Sequence, residues 1–157
     1  MRDNNWLKQR LLFFLQNHFS DVPIKNEIVI LFGRKAKARL GSIKLNPKNN
    51  QTVITLTSYF KDEKIPQFVV DGTIIHELVH YAHGFNSPLA QSFRHPHKGG
   101  IIRSEMAKRG LEEYFVKSKI WLKQNWPSVV KSKVKNHKYK IRRRRVNVFN
   151  FFRFLNF

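Results

Sequence analysis

The segment His76-Glu77-Leu78-Val79-His80 lies inside a run whose apolar residues Phe68, Ile75, Leu78, Val79 and Ala82 fall on one helical stripe. Pro66 suits the first turn of that helix and Gly84 its C-terminal stop, while Asp71-Gly72 offers a second place for it to start. Four residues turn a helix by about 400° and advance it roughly 6 Å, so both imidazoles leave one face at a separation that two ligands of one ion require. Glu77 is turned aside, where its carboxylate reaches a water beside the ion instead of the ion itself. Five matching letters also occur by chance. The core-type residues between the histidines, and the further histidines downstream, favour the metal-site reading.

Cysteine is absent, which excludes a disulfide framework, a thiolate zinc ribbon, an iron-sulfur cluster and a cysteine nucleophile. Any metal has to be held by His and carboxylate. A catalytic zinc commonly takes three protein ligands and keeps one position open. His83 is near in sequence, but a rigid helix carries it roughly 10 Å along the axis from His76, which suits a surface or supporting role. His95 and His97 follow a loop long enough to fold back over the helix, and Glu105 is a carboxylate alternative. Spacing ranks the two histidines ahead of Glu105 and does not separate them.

The 157 residues have room for one domain with a real core. Trp6, Leu7, Leu11, Phe13, Phe14, Leu15 and Phe19 recur at helical spacings, with Asp3 or Asn4 as the cap. Glu27 to Phe32, Ala38 to Leu45 and Thr52 to Tyr59 read as three short strands of an antiparallel meander. Beyond the motif helix come a short helix from about Gly99 to Lys108 and another from Leu111 to about Asn125. The expectation is an α+β fold over residues 1–126, followed by a basic, aromatic-ended, flexible tail over 127–157.

Thirty Lys and Arg against ten Asp and Glu give a formal charge of +20. Residues 131–157 hold ten of those cations and no acid, so half of the excess sits in the tail. Lys138, Lys140, Arg142, Arg143, Arg144 and Arg145 are the expected contacts to DNA or another polyanion, since counterion release rewards such clusters on phosphate. The Phe-rich end, FNFFRFLNF, has no assigned role. The N-terminal apolar stretch is interrupted by Arg10, Gln16, Asn17 and His18, unlike a signal peptide, and no run reaches a membrane-spanning length. A monomeric, cytoplasmic protein, in the nucleoid's neighbourhood if it binds DNA, is expected.

Gly41-Ser42-Ile43-Lys44-Leu45-Asn46-Pro47, then HELVH at 76–80, then Pro96-His97 ahead of a glycine and a helix follow one another along the chain. Together these three segments resemble the SprT-like family of metalloproteases. The similarity covers roughly residues 5–115. It implies a zincin-like minimal protease domain with one Zn²⁺ held by His76, His80 and His97, Glu77 as general base, and protein substrates associated with DNA. Lys98 intervenes between His97 and Gly99, and the cysteine-rich ribbon that many such proteins carry is missing, its place taken by the basic tail. Tyr81, His83, Arg94 and His95 are near enough in sequence to supply an oxyanion donor. The alternatives are a basic nucleic-acid-binding module with a structural or silent metal site, and a zinc hydrolase of a non-peptide amide.

Overall fold

A computed structural model describes residues 1–132. The calls on Lys138, Lys140 and Arg142 to Arg145 lie outside the described residues. Helix α1 (Asn4–His18) starts at Asp3, whose carboxylate accepts from the Trp6 N–H at 2.8 Å, and buries Leu7, Leu11 and Phe14 along one face. Phe13, counted with the apolar face on spacing, is 41% exposed. Three strands follow: β1 (Ile28–Phe32), β2 (Gly41–Asn46) and β3 (Gln51–Leu56). After a short helical turn at Ser58–Lys61 come α2 (Gln67–Ala82), α3 (Ile101–Lys108) and α4 (Glu112–Ser132).

The fold is α+β with a mixed sheet, which corrects the expected antiparallel meander. Strand order is β1-β3-β2; β2 and β3 pair antiparallel, but β1 runs parallel to β3. The chain does not turn back after β1: residues 33–40 cross the end of β3 instead. Thr57 pins that crossing, because its hydroxyl donates to the Ala36 carbonyl at 2.9 Å and accepts from the Ala36 N–H at 3.0 Å. The Trp126 indole N–H, 89 residues further along the chain, donates to the Lys37 carbonyl at 2.8 Å. β2 is left as a sheet edge. Ile30, Ile54 and Ile43 stand in one row across the three strands and form the buried face of the sheet.

Helix α2 is the centre of the packing and touches α1, β2, α3 and α4. Every residue from Val69 to Tyr81 is buried, so the helix is enclosed on all sides and the narrow stripe seen in sequence understates its burial. Asp71-Gly72 does not restart it. Arg10 of α1 makes a two-pronged contact to Asp71 at 2.8 and 2.9 Å, which satisfies a carboxylate only 2% exposed. Gly72 is the point of closest approach to α4, where an added Cβ would lie 2.4 Å from the Ser118 hydroxyl. α4 continues through Pro127 and across the expected boundary at 126/127 to Ser132. Trp126 holds it there, fully buried between Tyr59 and Phe60 at ring distances of 5.5 and 5.8 Å.

Candidate metal centre

His76 and His80 leave α2 one turn apart on the side facing β2 and the loop that precedes α3. Their Nε2 atoms are 3.0 Å apart. That loop brings in His97, whose ring stacks on His76 with centroids 5.2 Å apart and meets His80 edge-on at 4.6 Å. One ligand atom from each of the three lies within 4.8 Å of the others. Nitrogens bound tetrahedrally at about 2.0–2.1 Å from an ion stand about 3.3 Å apart, so the arrangement suits one divalent ion. His76 and His80 are buried and His97 is exposed, which leaves one side of the group open.

The electrostatics agree with a ligand role. Burial holds His76 well below the ordinary histidine value, and the charges of His80 and His97 push the same way. Burial likewise lowers His80 to about 3, helped by His97 and His83. Both rings are therefore neutral, the form that donates a lone pair to a metal. Glu77 is 5% exposed, and burial raises its carboxyl to about 8, with the Arg39 guanidinium pulling the other way. Its carboxylate lies against the β2 backbone: a Cβ at Gly41 would sit 2.5 Å from Glu77 Oε1 and 2.8 Å from Thr73 Cγ2.

The group opens into a cleft of about 500 Å³. Strand β2 from Gly41 to Leu45 forms one wall, His76, Glu77 and His80 the other, and Arg39, Phe85, Asn86 and His97 close the ends. The remaining sequence candidates are elsewhere. Glu105 accepts from Arg109 at 2.9 Å and faces His83 Nε2 at 3.6 Å, in a cluster tied to Asp21 through Arg109. His95 is exposed and outside the histidine group, with its carbonyl accepting from the Lys98 N–H. Tyr81 is turned away, donating to Asn26 Oδ1 at 2.9 Å and accepting from the Lys25 N–H. Arg94 is exposed on the loop before His97. Arg39, Gly41 and Thr73 were not singled out as site residues on sequence; a glycine inside a strand, which signals close approach of another group, was the available clue for Gly41.

No family model matches the chain, and no curated protein or solved structure matches it either. Among the described residues, no helix is long and apolar enough to cross a membrane. What the centre can do therefore rests on its geometry: three imidazoles able to hold one metal ion, and a buried carboxylate beside them on a cleft walled by a strand.

Proposed function

We propose that the chain is a zincin-like zinc metallopeptidase of the SprT-like kind, acting on protein substrates that include DNA-associated ones. The observation that carries this reading is the convergence of His76, His80 and His97 beside Glu77 on a cleft whose other wall is the sheet edge β2. An unpaired strand edge offers alternating N–H and C=O groups, to which an extended peptide adds as a further strand. A non-peptide amide would leave those groups unused.

Three converging imidazoles are a zinc donor set, and a Zn²⁺ held there would supply a Lewis acid, acidify the attacking water and add a positive charge that favours ionised Glu77. The chain's own part is positional. β2 aligns the peptide, and the enclosing walls limit the water that reaches it. Glu77 takes the proton from the attacking water and delivers it to the leaving nitrogen, from a carboxylate held close against the Gly41 backbone.

Metal analysis of the purified protein should give one zinc per chain, and hydrolysis of an unfolded protein should stop on chelation and return with zinc. A preparation that binds no metal would overturn the reading. Gly41→Ala provides a finer test, since the new methyl would lie 2.5 Å from Glu77 Oε1 and push the carboxylate aside. Its expected effect is a fall in kcat of about 100-fold, the scale of a misplaced catalytic group, with zinc content unchanged and KM within a few-fold. Because Asp is shorter by one methylene, Glu77→Asp in the Gly41→Ala background should recover part of the loss. Full activity in Gly41→Ala would show that the carboxylate position is immaterial.

A further inference from the structure

Apart from Glu77 itself, the segments that frame the cleft carry no acid. From Ile28 to Lys61 the chain has Arg34, Lys35, Lys37, Arg39, Lys44, Lys48 and Lys61 without one Asp or Glu, and from Leu78 to Ser104 it has Arg94, Lys98 and Arg103, again without one. Arg34, Lys35, Lys37, Arg39 and Lys44 are exposed, and among the described residues none of these five side chains has an ion-pair partner. They are also not loosely displayed. The loop bearing four of them is fastened through Ala36 to Thr57 and through Lys37 to Trp126.

Strand geometry connects this charge to the cleft. Along β2, Ile43 points to the buried face, so Ser42 and Lys44 point to the other. On that outer face a groove of about 440 Å³ is lined by Arg34, Arg39, Lys44, Ser42 and Thr55 among others. Arg39, Ser42 and Lys44 also line the metal cleft. A strand added to the edge of β2 would thus place alternate side chains toward the histidines and alternate side chains over the basic groove.

We propose that the protein selects acidic stretches of polypeptide, with Asp and Glu side chains of the bound strand received by Arg39, Arg34 and Lys44. The selection rests on the peptidase reading for its purpose, and on charge complementarity for its chemistry. A peptide meets both features of the wall: its backbone pairs with the N–H and C=O groups of β2, and its carboxylates pair with the cations. A DNA backbone offers acceptors alone and would leave the β2 carbonyls unmatched. Nor is there an exposed aromatic platform for bases between Phe32 and Tyr59, where the chain has no aromatic residue.

The test is binding, measured by fluorescence anisotropy on the zinc-loaded full chain carrying Glu77→Gln. The probes are a labelled Glu-rich peptide, its Gln-substituted counterpart and a single-stranded oligonucleotide. The acidic peptide should bind at least tenfold tighter than the Gln peptide, and Arg39→Glu/Lys44→Glu should remove that difference. Lys8→Glu/Lys123→Glu makes the same change of charge at exposed positions that line neither the groove nor the cleft and should alter affinity by less than threefold. Unchanged zinc content shows that the variants are folded, and Arg34→Glu alone should give an intermediate loss. Equal binding of the two peptides, or a charge reversal that weakens the oligonucleotide and spares the peptide, overturns the proposal. Failure of wild-type cleavage would count against the peptidase reading and leave this binding result standing.

Discussion

Glu77→Gln should lower peptide hydrolysis by about 10²–10⁴-fold, the range that loss of a general acid–base group produces, while zinc content and substrate KM stay within a few-fold of wild type. The substitution keeps the shape of the side chain, so its close approach to the Gly41 backbone survives. It also replaces a group that burial disfavours in its charged form with a neutral one, so the folded protein should not be destabilised. Loss of activity with an undiminished Tm and full metal content would isolate the carboxylate's chemical role from any part it has in packing. Retention of full activity would show that the proton is moved by another group. Together with Gly41→Ala, the substitution separates having the carboxylate from having it in the right place.

The histidine group is easier to read in the sequence than the frame that holds it. HELVH stands out because a helix imposes the spacing that brings its two histidines together, and α1 and α2 follow from periodicity and from Asp3, Pro66 and Gly84 at their ends. The parallel pairing of β1 with β3 leaves no such local mark. It depends on Thr57 and Trp126 fastening the crossing loop, contacts between residues 21 and 89 positions apart in the chain. For the same reason local propensity ends α4 before Pro127, whereas burial of Trp126 carries the helix onward. Glu105 was a fair carboxylate candidate by distance along the chain. Only the packed structure shows it committed to Arg109 and His83.

That commitment makes the third metal ligand the sharpest point at which the site can be tested. His97→Ala should weaken zinc binding by well over about 100-fold, beyond the loss caused by removing a residue that merely supports a ligand, because it deletes one of three converging nitrogens. His95→Ala should leave zinc affinity within threefold, its exposed side chain being outside the group. Glu105→Ala should do something different: it removes the partner of Arg109 and His83 and should lower Tm while zinc stays bound. Competition with a chromogenic chelator measures the affinities, and thermal unfolding of the metal-free proteins measures the stability. The two readouts matter jointly, since a loop that merely misfolds would lose zinc in both histidine variants. If His95→Ala matches His97→Ala in zinc loss, the assignment of His97 fails. If His97→Ala alone releases the metal, a position on an exposed loop completes a site whose other two ligands are fixed by the most buried helix of the fold.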